Sequence, residues 1–369
     1  MVERRGPVER GNWRQKDMKT IDSEQGYEIV IGHGLLEQFA RLLPQGFEKN
    51  KVYIITDDHV EQLYLAKLEQ ALAERGIPFH GFVVPHGDES KSIENFHRIL
   101  LDLSQKDYTR TDFIIALGGG VVGDLAGFVA SAYLRGIPFI GVPTTLLAQV
   151  DSSIGGKVGV NLQTGKNLAG AFYNPCKVVM DLDTLQTLKE EEFFNGMAEV
   201  IKYGLIRDKV FLERLARQDA KEYLADVVSA CVGYKLYYVQ QDAKDKGLRM
   251  QLNFGHTLGH AIETYYGFQK YGHGQAVAMG MEFAARLSLH KDMLTWEEME
   301  KVIEVLQKYQ LYDTSQQQQY VTFCHFMSKD KKNLYGKLNL ILLDGLGKGT
   351  IAQMSLEQVA AFAGEVYGS

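Results

Sequence analysis

The sequence lacks any apolar run long enough to span a bilayer, and residues 1–19 lack the apolar core of a signal peptide. We read residues 1–18 as a disordered extension or expression remnant, with Met18 a natural start. Cysteine is scarce. Cys176, Cys231 and Cys324 are odd in number and far apart, so neither a disulfide framework nor a Cys-x-x-Cys metal site follows. A reducing cytoplasm is the simplest location. There is no basic excess either: the formal net charge is -6, whereas a nucleic-acid binder would carry a basic surface. Anionic small molecules stay within reach, because a pocket can be basic on an acidic protein. Internal repeats are absent. What remains is an ordinary globular composition, 45% hydrophobic and 23% charged, on 369 residues. That length accommodates two domains with sizeable cores.

The first half alternates strand-like and helix-like segments. Strands are expected at 27–32, 51–56 (KVYIIT), 79–84, 113–117 (FIIAL) and 139–142, and helices at 60–75, 93–105 and 125–134. From residue 185 onward the periodicity is helical, with segments at 190–206, 210–239, 257–266, 276–289 and 295–309 and few strand signals. The expected fold is an α/β nucleotide-binding domain with a parallel sheet, residues 19–186, followed by an α-helical domain, residues 187–369. A ligand cleft is expected between them.

Residues 118–123, GGGVVG, fit G-x-G-x-x-G directly after a strand, with Asp124 next. Such glycines let backbone amides approach a diphosphate at a helix start. The acidic residue usual about 20 positions later is missing, because that stretch is the next strand. An acidic strand end occurs earlier, at Asp57. The motif alone leaves two readings open, a dinucleotide bound in a non-standard order or a tight strand–helix turn.

Residues 143–157, PTTLLAQVDSSIGGK, lead to Lys157, and Gly165 precedes Lys166 and Asn167. Two lysines and an asparagine held by glycine turns suit a phosphate or carboxylate. Glu199 and Lys202 share a helix face. Their apolar surroundings, 196–205, point to burial rather than to a surface ion pair. Lys235 follows, then Arg249 shortly before Asn253. The run LNFGHTLGH brings His256 and His260 onto one helix face, and His273 follows in YGHG. Neutral imidazole is the commonest ligand of zinc, and a catalytic zinc keeps three protein ligands and an open position. The adjacent glutamate of the His-Glu-x-x-His protease motif is absent. Metal ligation and satisfied core histidines both remain open here, with Glu199 the candidate ligand from elsewhere in the chain.

Taken in order, GGGVVGD, YLRGIPFIGVPTTLLAQVDSSIGGKVGVN, GKNLAGAFYNP, GMAEVIKYG, GLRMQLNFGHTLGHAIE and GHGQAVAMGM resemble the 3-dehydroquinate synthase family, from about residue 27 to past 347. The resemblance implies a dehydroquinate synthase-like fold, NAD, and zinc (or cobalt) held by Glu199, His256 and His273. It implies that Lys157, Asn167, Asn253, His260 and Lys331 contact the substrate phosphate and neighbouring hydroxyls. Lys235 and Arg249 clamp a carboxylate, and Asp151, Lys166 and Lys202 complete the pocket. Lys157, Lys166, Lys202, His260 and Asp151 form the catalytic set. NAD falls to Asp57, Asp88, Lys91, Gly119, Gly120, Asp124, Thr144, Thr145 and Thr187, with Lys157 and Lys166 also in reach. A homodimer is implied, in which Arg135 reaches the partner's phosphate site. The implied reaction turns 3-deoxy-D-arabino-heptulosonate 7-phosphate into 3-dehydroquinate by transient oxidation, phosphate elimination, reduction and aldol closure. Neither nucleic acid nor membrane is implied as a partner.

Four positions depart from the family pattern: Gln275 for a usual Glu, Ala243-Lys244 in the acidic stretch, Asp88 for Glu, and Lys189 for Pro. Altered hydrogen bonding around the metal ligands is expected from Gln275, and a looser interdomain turn from Lys189. The alternatives are another sugar phosphate cyclase, such as a 2-deoxy-scyllo-inosose synthase, or a metal-dependent polyol dehydrogenase. The cyclase alternative has a substrate without a carboxylate, so Lys235 with Arg249 disfavours it.

Overall fold

Runs of aliphatic and β-branched residues in the first half build one seven-stranded sheet. In the computed structural model, which describes residues 18–327 and 337–368, the strands are β1 (Lys19–Asp22), β2 (Glu28–Gly32), β3 (Val52–Asp57), β4 (Phe79–Val84), β5 (Phe113–Gly118) and β6 (Phe139–Pro143). A separate hairpin, β7 (Lys157–Leu162) and β8 (Gly165–Phe172), precedes the seventh strand, β9 (Lys177–Asp181). The spatial order is β1-β2-β9-β6-β5-β3-β4. Pairing is parallel throughout except for β1 against β2. Successive side chains alternate between two cores. Val52, Ile54, Ile115 and Leu117 pack with Leu68 and Leu72 on one face. Tyr53, Ile55, Ile114 and Ala116 pack with Leu125 and Val129 on the other. Burial on both faces explains why β3, β5 and β6 read as continuous apolar runs.

The chain leaves β3 for β4 on one side and returns to β5 on the other. Strand order therefore reverses between β3 and β5. Crossovers diverge there and leave a crevice at the carboxyl ends of the strands, where α/β folds bind ligands. Asp57 ends β3 and Gly118 ends β5.

The second half is mainly helical, as expected. Its central helix, Glu190–Arg207, is buried continuously from Asn195 to Ile206. Helices His256–Tyr265 and His273–His290 pack on each other and near it. Expected elements that the structure corrects fall into three groups. The single helix expected at 210–239 is two, Lys209–Arg217 and Leu224–Gln241. Gln218 is extended between them, Asp219 caps Lys221 N–H, and Tyr309 OH takes the Ala220 N–H at 3.3 Å. The helix expected from 125 starts at Gly120, inside the glycine motif. Hairpin β7–β8 and a second hairpin, β10 (Lys337–Leu343) with β11 (Gly349–Ser355), were not anticipated. Glycines mask the alternation in the first, and β10 is a run of apolar residues that periodicity cannot tell from helix. The extension expected at 1–18 lies outside the described residues except for Met18. Among the described residues no helix is long and apolar enough to cross a membrane.

Candidate active site

The carboxyl ends of β3, β5 and β6 share one edge of the sheet. Gly118 ends β5 and helix Gly120–Ala132 begins two residues later. A helix start thus stands at the crevice with no side chain over its amides. A Cβ on Gly120 would lie 2.9 Å from Ser152 Oγ. Thr144 N–H donates to Gly118 O at 3.1 Å and draws the segment after β6 against the turn. The hydroxyls of Thr56, Thr144, Ser152 and Ser153 are buried here with no hydrogen-bond partner among the described residues. Buried hydroxyls nearly always have partners, so four unsatisfied ones at this edge fit a polar ligand such as a dinucleotide. Lys91 and Asp124 pair beside them; burial pushes the Asp124 carboxyl up, opposed by the Lys91 ammonium. Asp57 Oδ1 accepts His59 N–H at 3.0 Å and Val60 N–H at 2.9 Å. Thr145 Oγ1 accepts Ala148 N–H at 3.2 Å. The Thr187 hydroxyl meets that of Tyr64.

Next to this edge is a cavity of about 490 Å³, lined in part by Asp124, Asp151, Lys157, Asn167, Lys235 and Arg249. Asp151 is its electrostatic centre. Its Oδ1 accepts from Lys235 Nζ at 2.8 Å and Tyr203 OH at 2.9 Å, with Lys202 Nζ at 3.9 Å. Burial alone would raise this carboxyl, but the ammonium groups of Lys235 and Lys202 hold it well below the usual carboxylate range. Arg249, itself buried, donates to Gly155 O at 3.2 Å and Ala243 O at 3.1 Å. Gly155 has φ +96°, and a Cβ there would lie 2.5 Å from the guanidinium, so the contact requires glycine. Lys157 Nζ pairs with Asp245 at 2.7 Å. Lys202 and Lys235 share the Asp151 carboxylate, whereas the hydrogen bonds of buried Arg249 among the described residues go to backbone carbonyls, which leaves it one positive charge without a bonded carboxylate. That charge suits an anionic ligand.

The third part adjoins the second through Lys202, whose ammonium also pairs with Glu199; both side chains are buried. Burial opposes charge on Lys202, and Glu199 and Asp151 more than offset it. Glu199 Oε1 is buried without a hydrogen bond. His256 Nε2 stands 3.4 Å from it and His273 Nε2 3.8 Å. All three donor atoms lie within 4.8 Å of one another. Tetrahedral donors about 2.1 Å from an ion stand about 3.4 Å apart, so the set fits a divalent metal. The outer nitrogens are engaged elsewhere, His256 Nδ1 by Phe254 O at 3.1 Å and His273 Nδ1 by Glu263 at 3.4 Å. Such outer partners turn Nε2 toward the ion. Burial, aided by Lys202, His273 and His260, holds His256 well below its ordinary value, in the neutral form a metal needs.

Residues 81–195 match the family 3-dehydroquinate synthase N-terminal, and residues 196–333 match 3-dehydroquinate synthase C-terminal. A 3-dehydroquinate synthase of Clostridium botulinum (strain Alaska E43 / Type E3) is 41% identical over 346 residues, which cover 93% of this chain and 99% of that protein. The chain belongs to the 3-dehydroquinate synthase family. Another member, from Syntrophotalea carbinolica, is 44% identical over 331 residues, 88% of this chain and 91% of its own. Among solved structures, 2-deoxy-scyllo-inosose synthase complexed with carbaglucose-6-phosphate, NAD+ and Co2+ superposes with a TM-score of 0.83 at 25% identity. It covers 94% of this chain and 99% of its own.

The residues that the family resemblance points to do not all converge. Asn253 Nδ2 donates to Met250 O at 3.0 Å, and the His260 ring lies 5.5 Å from that of His256, both near the histidine cluster. Lys166 pairs with Asp88 at 3.1 Å. Arg135 is exposed, at the far end of the 13-residue helix from Gly120, about 20 Å from the glycine turn. Lys331 lies outside the described residues. Of the departures, Gln275 accepts Gly272 N–H at 3.0 Å and so caps the helix that begins at His273. Lys189 has φ -61° and ψ 147°, values that a proline also adopts.

Tyr203 and Glu263 were not singled out from sequence. Both carried a faint signal. Tyr203 is four residues after Glu199, and Glu263 is seven after His256, so each shares a helical face with a candidate ligand.

Proposed function

We propose that this member of the family is a 3-dehydroquinate synthase, converting 3-deoxy-D-arabino-heptulosonate 7-phosphate into 3-dehydroquinate and phosphate. It would be a carbon–oxygen lyase dependent on NAD and a divalent metal. One observation carries the reading. The cavity is lined by two anion-binding sets, the cations Lys235 and Arg249 and the Lys157 ammonium with the neutral Asn167 amide. A substrate bearing both a carboxylate and a phosphate needs two such sets.

Glu199, His256 and His273 would hold the metal. Zinc suits these donors and cobalt fits them too; the related inosose synthase contains Co2+ and NAD+. When bound, NAD supplies a hydride acceptor regenerated within each turnover, and the metal supplies a Lewis acid for the hydroxyl being oxidised. The chain's own part is binding and orientation. Lys235 and Arg249 clamp the carboxylate, with Asp151 and Gly155 O fixing their positions. Lys157, Asn167, Asn253 and His260 hold the phosphate and its neighbouring hydroxyls, with Lys331 as a further cation. Lys166 and Lys202 complete the polar wall. Gly119, Gly120, Thr144, Thr145, Asp57, Asp88, Lys91, Asp124 and Thr187 take the dinucleotide. In a homodimer, Arg135 would serve the partner's phosphate site. The two units divide at residues 186 and 187, and the enzyme is cytoplasmic.

The test is phosphate release from 3-deoxy-D-arabino-heptulosonate 7-phosphate by metal-loaded protein with NAD, with absorbance followed at the NADH band. Stoichiometric phosphate and 3-dehydroquinate without NADH accumulation is the expected result. Release from glucose 6-phosphate instead would transfer the protein to the inosose-type cyclases. NADH accumulating with a polyol would make it a dehydrogenase.

A further inference from the structure

Helix His256–Tyr265, which carries His256 and His260, ends in two consecutive left-handed residues, Gly267 with φ +59° and Phe268 with φ +61°. The end is hydrogen-bonded as a Schellman motif: Phe268 N–H donates to Glu263 O at 2.8 Å and Gly267 N–H to Thr264 O at 3.2 Å. That motif needs one left-handed residue, and glycine supplies it. The second is a bulky aromatic, an outlier that persists only where its surroundings over-determine it. Burial does not do so, because Phe268 is 43% exposed. Its partner lies across the cleft. The ring centroid is 4.1 Å from Lys166 Nζ, at the turn of the β7–β8 hairpin.

The hairpin itself is rooted on the sheet side, where Asn161 N–H donates to Lys91 O at 2.8 Å and Lys166 pairs with Asp88. Lys166 also acts electrostatically on the Glu263 carboxylate, which bonds to His273. We propose that Phe268 is a positioning residue: its ring clasps the Lys166 ammonium and ties the β7–β8 hairpin to the metal-bearing helices. The strained backbone is what aims the ring. An exposed cation–π contact is worth about a two- to fivefold change in an equilibrium. The role rests on the reading of Lys166 as a site residue.

The test compares Phe268→Leu, Phe268→Gly and Phe268→Trp in the full chain with metal and NAD bound. Amide exchange across 162–167 and kcat/KM are both read. Leu and Gly are expected to speed exchange by about two- to fivefold and to lower kcat/KM by a similar factor, with bound metal unchanged. Trp restores both. Gly, which this backbone favours, keeps or raises the melting temperature while losing the clasp, an opposition that a purely structural role does not produce. Leu and Gly variants with wild-type exchange and wild-type kcat/KM would overturn the proposal. Wild-type protein inactive on the heptulosonate phosphate, with exchange still faster in the Leu and Gly variants, would sink the functional reading and leave the clasp standing.

Discussion

The two walls of the cleft meet a ligand by opposite means. The sheet edge offers mainly uncharged groups, a glycine turn at Gly118–Gly120 and the unsatisfied hydroxyls of Thr56, Thr144, Ser152 and Ser153, and its buried charge, Lys91 with Asp124, is paired. The helical wall is crowded with charge that is already paired, Glu199 with Lys202 and Lys235 with Asp151 of the first half. The difference reflects what each wall can leave undone. An unmade hydrogen bond to a buried hydroxyl costs about 1–3 kcal/mol, which a fold can carry until a ligand arrives. An unpaired buried charge costs more, so Lys202 and Lys235 are paired before any ligand binds and Arg249 rests on the carbonyls of Gly155 and Ala243. Substitutions of the paired charges should therefore damage the empty protein, and those of the unsatisfied hydroxyls only the complex.

The harshest challenge to that division is Glu199→Gln, which removes a proposed metal donor and the partner of Lys202. Bound metal should be lost and phosphate release should fall more than about a hundredfold; metal analysis showing one tightly held ion per chain would contradict the ligand set. Asp151→Asn strands Lys235, and urea unfolding at neutral pH should show a loss of about 3–5 kcal/mol. The pH dependence has a definite sign. Against burial, Lys235 and Lys202 depress the folded Asp151 carboxyl below its ordinary 3.8. Its stabilisation is thus complete above pH 3.8 and is lost as pH falls from there toward the folded value. The gap between wild type and variant should be flat near neutrality and close only in acid; a gap closing near pH 6 would place the effect on another group.

Glu263→Ala sharpens the comparison one layer out. His273 keeps its place in the helix but loses its outer partner, and metal titration should show affinity weakened by about 10- to 100-fold. Unchanged affinity would mean that the contact orients nothing. The mildest case is Ser152→Ala on the sheet edge. Stability of the empty protein should shift by no more than about 0.5 kcal/mol, while NAD binding weakens by about tenfold. Equal losses in both measurements would erase the distinction between the walls.

Legibility in the sequence follows the same line. Strands β2 to β6 and the helices at 93–105 and 190–206 were readable because each pattern is local and continuous, whereas β1 and β9 of the same sheet were not singled out. The glycine motif marked the sheet edge, and charges in apolar or glycine-rich stretches marked Glu199, Lys202, Lys157 and Lys166. Hairpin β7–β8 was not readable, since its glycines remove the alternation that identifies a strand. Tyr203 and Glu263 were missed because their roles lie in what their hydroxyl and carboxylate touch, Asp151 and His273, and only packing decides those contacts.

By itself the sequence determined the parallel α/β half followed by a mainly helical half, and the residue chemistry available for a cleft. Periodicity and turn residues act over a few positions, so one chain suffices to read them. Only the tertiary structure decided which charges neutralise one another. Asp151 meets Lys235 across 84 positions and Lys157 meets Asp245 across 88. A buried charge must find a polar partner, but the packing of the two halves decides which one it finds.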